Sequence, residues 1–174
     1  MFYREALQYI IQKNKENAYL VEGMASILLS KILKADSGNY MELRSPCGAA
    51  IGQLAYYYDG NIYTCDEGRM LAEMGDKKFL LGNVFDNHYP EMMQGEIVEN
   101  VCHASCLECI PTCHSCVYMP YCGTCPVVNY AQTGNMVMNH RDNFRCQIMS
   151  GILDTLFDYI EHDKTALKIF QTWI

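Results

Sequence analysis

What this sequence lacks narrows its reading first. No apolar run approaches the roughly 20 residues needed to cross a bilayer. The nearest, Met24 to Leu33, is interrupted by Ser30 and Lys31. The opening Met1-Phe2-Tyr3-Arg4-Glu5 has no apolar core of a signal peptide, so oxidative export is not expected and a cytoplasmic protein is. Basic residues are the minority: 13 Lys and Arg stand against 20 Asp and Glu, for a formal charge of −7, and no Lys/Arg-rich stripe interleaved with aromatics occurs. An acidic surface repels phosphate backbones, which argues against nucleic acid and for a peptide or protein partner. Repeats and low-complexity tracts are absent, and 174 residues suffice for one compact domain or a small one with helical extensions.

What is present in excess is cysteine. Ten are too sparse for a disulfide scaffold, yet seven of them (Cys102, Cys106, Cys109, Cys113, Cys116, Cys122 and Cys125) fall within 24 residues, with Cys47, Cys65 and Cys146 outside. That stretch has no apolar periodicity and is expected to be organised by what its sulfurs bind.

Around it the chain reads as helices and one hairpin. Phe2, Ala6, Leu7, Ile10 and Ile11, then Leu20, Met24, Ile27, Leu28, Ile32 and Leu33, recur at helical spacing and predict two opening helices. Breakers at Ser37-Gly38-Asn39 and Ser45-Pro46 lead into Cys47 and mark a boundary. Gln53 to Tyr58 and Ile62 to Cys65 are β-prone, and Asp59-Gly60 between them predicts a tight hairpin turn. Phe79 to Leu81 is a strand candidate ended by Gly82-Asn83, and His88 to Val101 a helix opened near Pro90. Ile148 to Ile160 predicts an amphipathic helix just beyond Cys146, and Leu167, Phe170 and Trp173 a short last one. The expected class is α+β: a small cysteine-rich domain with a β-hairpin and metal-organised loops, flanked by N- and C-terminal helices. The segments are 1–45, 46–146 and 147–174.

Two thiolates separated by two residues can point at one metal centre from a single turn, in zinc and iron-sulfur sites alike. Three such pairs, Cys106/Cys109, Cys113/Cys116 and Cys122/Cys125, predict metal binding rather than buried or disulfide-bonded thiols. Structural zinc remains one reading, with His103 and His114 as additional donors. The longer pattern points elsewhere. Cys47, twelve residues, Gly60, four residues and Cys65, followed by Cys113-x-x-Cys116, five residues and Cys122, then Cys125 and Cys146, resembles the signature of the SPASM family. These are the auxiliary-cluster domains that follow the catalytic barrel in many radical S-adenosylmethionine peptide-modifying enzymes. Pro46-Cys47-Gly48-Ala49, Tyr63 before Cys65, Leu81-Gly82-Asn83-Val84 and Tyr121-Cys122-Gly123 extend the match, which spans about residues 46 to 146. One departure is that Cys122 and Cys125 are separated by two residues where the family usually has three.

The resemblance implies two 4Fe-4S clusters. The first is held by Cys47, Cys65 and Cys125, its fourth position either open or closed by Cys106; the second is held by Cys113, Cys116, Cys122 and Cys146. It further implies a ribosomally made precursor peptide as partner, and electron relay or peptide engagement as the role. S-adenosylmethionine enters only through a barrel missing from this chain or borne by a separate radical S-adenosylmethionine protein, residues 1–45 resembling the end of such a barrel and its linker. No catalytic residue is assigned. The binding-module alternative is a peptide- or partner-holding protein with structural iron-sulfur or zinc sites. Cys102-x-x-x-Cys106-x-x-Cys109 has the spacing of the catalytic radical S-adenosylmethionine motif, but a barrel needs on the order of 200 residues after it. Only the tail to Ile174 follows, and Glu108 stands where an aromatic is usual. Tyr56, Tyr57 and Tyr58 read as packing on the two faces of the hairpin. His88, His140 and His162 read as surface residues, Asp66 and Glu67 as a solvated turn, and Gly48 and Gly52 as sites of close backbone packing.

Overall fold

The computed structural model describes residues 2–36, 40, 43–137 and 143–174. Ser37-Gly38-Asn39 and His140 lie outside the described residues. In chain order the elements are α1 (Phe2–Lys15), α2 (Gly23–Leu33), β1 (Ala55–Tyr56), β2 (Asn61–Tyr63), α3 (Asp66–Glu73), β3 (Leu80–Asn83), α4 (Tyr89–Met93), α5 (Glu96–Ser105), α6 (Pro126–Thr133), α7 (Phe144–His162) and α8 (Lys164–Gln171), with single 3₁₀ turns at Leu107–Cys109 and Met119–Tyr121. The class is α+β. Among the described residues no helix is long and apolar enough to cross a membrane.

The chain divides into two compact units, one made of residues 1–39 with 141–174 and the other of 40–140. The first is helical and unites the two ends of the chain, which sequence patterns present as separate segments. Leu7 and Ile11 of α1, Ala25, Leu28 and Leu29 of α2, Met149, Ile152, Leu153 and Leu156 of α7, and Ala166 and Phe170 of α8 are among its buried residues and recur at helical spacing. The helix starts are capped. The Glu22 carboxylate accepts from the Met24 and Ala25 amides at 3.2 and 2.6 Å, and Asp163 accepts from Thr165 and Ala166 at 2.8 and 3.0 Å. The Arg4 guanidinium donates to Asp158 at 2.5 Å, tying α1 to α7. Burial, reinforced by Glu22, which accepts its hydroxyl proton at 2.9 Å, raises the Tyr3 phenol above its ordinary range.

The second unit is built on an antiparallel sheet ordered β1-β2-β3, with Ala55 opposite Tyr63 and Asn61 opposite Asn83. The β1–β2 turn is at Asp59-Gly60, where the Asp59 carboxylate accepts from the Asn61 amide at 2.9 Å. Gly60 has φ +85°, a backbone conformation that favours glycine, and a Cβ there would lie 2.8 Å from the exposed Phe85 ring, which would have to shift. Tyr56 and Tyr58 are exposed while Tyr57 is half-buried, with Arg69 over its ring. Strand β3 runs through Gly82-Asn83 rather than ending there, because both residues pair with β2 and the register is irregular between Ile62 and Tyr63. The helix expected over His88–Val101 is broken into α4 and α5, with Gly95 in extended conformation (φ −73°, ψ 151°) as the N-cap of the second. α3 and α6, which apolar periodicity does not announce, complete this unit.

Candidate metal centre

Cys47, Cys65 and Cys125 sit where a short helix begins or a loop is fastened down. Cys65 is the residue before α3 and Cys125 the residue before α6, so both occupy N-cap positions. A helix start presents unpaired N–H groups and partial positive charge, which favours sulfur in its thiolate form. Burial pushes the Cys65 thiol up to about 12, against which the Gly68 amide and the Thr64 hydroxyl, the latter 3.8 Å away, act as donors. Gly68 is needed for this approach: a Cβ there would lie 2.8 Å from Phe79 Cβ.

Cys47 is positioned from both sides. Its amide donates to the buried Ser105 hydroxyl at 3.0 Å, and three residues later the Ala50 amide donates to the Thr64 carbonyl at 2.8 Å, beside Cys65. Between them the Gly48 carbonyl accepts from the amides of Ile51, Gly52 and Gln53 at 2.8 to 3.2 Å, closing the loop on itself. The Ser45 hydroxyl accepts from the Leu107 amide at 2.9 Å and donates to the Glu108 carboxylate, so the Cys47 loop is fastened to the segment flanking Cys106. The outcome is that Cys47, Cys65 and Cys125, 78 positions apart at the extremes, share one buried cluster with Ala49, Leu71, Phe79, Val101 and Val127. They are 6, 3 and 8% exposed.

The cysteine-rich segment has more scaffolding of its own than its lack of apolar periodicity leads one to expect. Amide-to-carbonyl bonds from Cys109 to Cys106 (3.0 Å), Cys113 to Ile110 (2.9 Å), Cys116 to Cys113 (2.9 Å), Met119 to Cys116 (3.1 Å) and Cys122 to Met119 (3.3 Å) make it a succession of three-residue turns. In such turns side chains at i and i+3 eclipse, which is the spacing of Cys106/Cys109 and of Cys113/Cys116. Leu107, Ile110 and Cys113 form a small buried knot with Met119 and Cys122 packed against it. Cys116 is exposed.

The remaining cysteines belong to neither of these buried groups. Cys106 Sγ is 3.4 Å from Cys109 Sγ and 3.4 Å from the Glu108 carboxylate. Its bond with Cys109, then burial and Glu108, raise its thiol above the ordinary range. Burial does the same for Cys102, on α5. Cys146 lies in the first turn of α7, in the helical unit. His103, His114, His88 and His162 are exposed.

None of the ten cysteines is disulfide-bonded, and among the described residues no three Cys, His, Asp or Glu side chains are gathered closely enough to hold a metal ion as they stand. The donor chemistry nevertheless fits iron-sulfur clusters. Thiolates with few hard donors suit zinc or iron-sulfur centres rather than calcium or magnesium, and the buried cluster offers thiols in apolar surroundings with two of them at helix starts. Ser45 and Ser105, which fasten the Cys47 loop, were not singled out by motif. The only sequence signals for the two helix starts are Asp66-Glu67 in the first turn of α3 and Pro126 at the start of α6.

No protein-family model and no curated protein sequence matches the chain. Solved structures do resemble it. Hexahistidine-tagged anSMEcpe with bound AdoMet superposes with a TM-score of 0.62 at 17% identity, covering 98% of this chain and 40% of that one. Native anSMEcpe with bound AdoMet and Kp18Cys peptide gives 0.60 at 16% identity, covering 98% and 42%. Native anSMEcpe with bound AdoMet gives 0.60 at 17%, covering 99% and 41%. anSMEcpe is a radical S-adenosylmethionine enzyme with a SPASM domain. At this identity the likeness is one of fold, and the chain spans about two-fifths of the length of those proteins.

Proposed function

We propose that this chain is an iron-sulfur cluster-binding auxiliary domain of a radical S-adenosylmethionine peptide-modifying enzyme, working within a longer protein or in trans with a barrel-bearing partner. The observation that carries the reading is the burial of Cys47, Cys65 and Cys125 in one cluster, the three residues that the SPASM-like spacing assigns to a first cluster. The fold likeness to anSMEcpe supports the domain reading, though not the choice of ligands.

In this reading Cys47, Cys65 and Cys125 hold the first 4Fe-4S cluster. Its fourth position is open or taken by Cys106, and the facing of Cys106 Sγ toward Cys109 at 3.4 Å favours the open form. Cys113, Cys116, Cys122 and Cys146 hold the second; the membership of Cys146 rests on sequence spacing. When bound, such clusters pass single electrons. The residues around them hold the Cys47 loop through Ser45 and Ser105, donate hydrogen bonds to sulfur from Gly68 and Thr64, and exclude water with Leu71, Phe79 and Val101. S-adenosylmethionine is bound by a barrel carried elsewhere. A precursor peptide is the partner, a reading supported by the Kp18Cys peptide held in one similar structure.

The test is metal content after anaerobic production. The proposal predicts about eight irons and eight inorganic sulfides per chain, four for each of two clusters. A colourless protein with stoichiometric zinc overturns it.

A further inference from the structure

Cys102-x-x-x-Cys106-x-x-Cys109 is the one cysteine motif that the two-cluster reading leaves without a task. We propose that Cys106 and Cys109 form a thiol–disulfide exchange site of their own, acting on low-molecular-weight or peptide disulfides bound in the cleft beside Cys109. The two sulfurs are already 3.4 Å apart. A turn closed by the Cys109 amide on the Cys106 carbonyl at 3.0 Å holds them there, within a side-chain rotation of the roughly 2.05 Å bond of a disulfide. Their accessibility differs in the sense the reaction needs: Cys109 is exposed and Cys106 half-buried. Cys109 also lines a cleft of about 540 Å³ together with Lys78, Asn100, His103, Tyr130 and Met136. That cleft has a cation, amide and hydroxyl groups and apolar wall, which suits a substrate with carboxylates and peptide bonds.

The chemistry balances without any other reagent. The Cys109 thiolate attacks one sulfur of the substrate disulfide, whose S–S bond breaks and whose second sulfur leaves as thiolate with the electron pair. Cys106 then attacks the Cys109 sulfur of the mixed disulfide, expelling the remaining substrate half as thiolate. One substrate disulfide is reduced to two thiols, the protein dithiol is oxidised to a Cys106–Cys109 disulfide, and the two protein thiol protons pass to the departing sulfurs. A dithiol used in this way cannot close the first cluster, so the same variants separate the two uses of Cys106.

The experiment uses the full chain prepared without oxygen, with oxidised glutathione as probe and iron measured in parallel. In the unmodified protein, alkylation of Cys106 and Cys109 should be lost together, with no glutathione retained. Cys106→Ser should trap one glutathione on Cys109 and keep its iron. Lys78→Ala should slow the reaction with anionic oxidised glutathione about threefold to tenfold while leaving that with neutral hydroxyethyl disulfide unchanged, as expected of local charge. Retained alkylation of both cysteines in the unmodified protein overturns the proposal regardless of how any variant folds. So does a Cys106→Ser protein that loses about half of its iron, which makes Cys106 a cluster ligand.

Discussion

The two units of this molecule solve the problem of a small core in opposite ways. Residues 1–39 with 141–174 bury aliphatic and aromatic side chains at helical spacing, cap α2 and α8 with carboxylates and α7 with the Asn143 side-chain amide, and close with Phe170 against Trp173 at 5.2 Å between ring centres. Residues 40–140 have a sheet of two-, three- and four-residue strands and a core in which three of the eight members of the main buried cluster are cysteines. The helical unit carries its stabilising groups on its own side chains. The cysteine-rich unit is ordered by turns and tethers, and its thiols are the donors through which a bound metal would add to its folding free energy.

The sharpest way to break this contrast is to strip metal from anaerobically prepared protein with a strong chelator and follow amide hydrogen exchange. Protection in β2, α5 and α6 should fall by at least about a hundredfold, because metal-binding free energy is folding free energy. Amides of α1 and α2, which carry no ligand, should keep theirs. Equal loss in both units would abolish the distinction.

A core truncation should show the reverse pattern. Leu153→Ala, at a fully buried position of α7, should cost about 3 kcal/mol, measured by denaturant unfolding, while leaving the iron content of the folded protein unchanged. Next in size is Gly60→Ala. Its positive φ should cost about 1.5 kcal/mol in the cysteine-rich unit through left-handed strain. Retained exchange protection at Ile62 and Tyr63 would contradict that expectation.

The smallest effect belongs to a cap. Asp163→Ala should cost about 1 kcal/mol in the helical unit by leaving the Thr165 and Ala166 amides without their acceptor. Bonds from those same amides hold the Asp163 carboxyl below its ordinary value in the folded protein. A carboxyl depressed on folding stabilises above its unfolded pKa of about 3.9, and that contribution is lost as pH falls through the folded value. The difference between parent and Asp163→Ala should therefore be constant from neutral pH down to about 5 and shrink below about 4, which thermal melts across that range will read.

How much of this was legible in the sequence follows the same division. The helices of the helical unit are written in their periodicity, since Leu7, Ile11, Leu28, Leu153 and Leu156 recur at the spacing their burial requires. The hairpin was legible in Asp59-Gly60, because few other pairs satisfy that turn. α3 and α6 were not, because each is eight residues long and its apolar side is shared with cysteines that a motif reading reserves for metal. The break at Gly95 was hidden because Met92, Val98 and Val101 continue an apolar pattern across it. The grouping of Cys47 with Cys65 and Cys125 was suggested by family spacing, whereas the tethers that position Cys47, from Ser45 and Ser105, depend on contacts about 60 positions away in the chain. The facing of Cys106 toward Cys109 depends on the three-residue turn joining them, which a count of spacings does not separate from a shared metal.

The measurement that tests the central claim most directly is a comparison of iron content and Mössbauer spectra for ⁵⁷Fe-loaded parent and Cys65→Ser proteins. The account predicts two 4Fe-4S components in the parent and the loss of one of them, about half the iron, when the buried N-cap sulfur of α3 is replaced. An unchanged spectrum and iron count in Cys65→Ser would show that the buried thiols at Cys47, Cys65 and Cys125 do not hold a cluster.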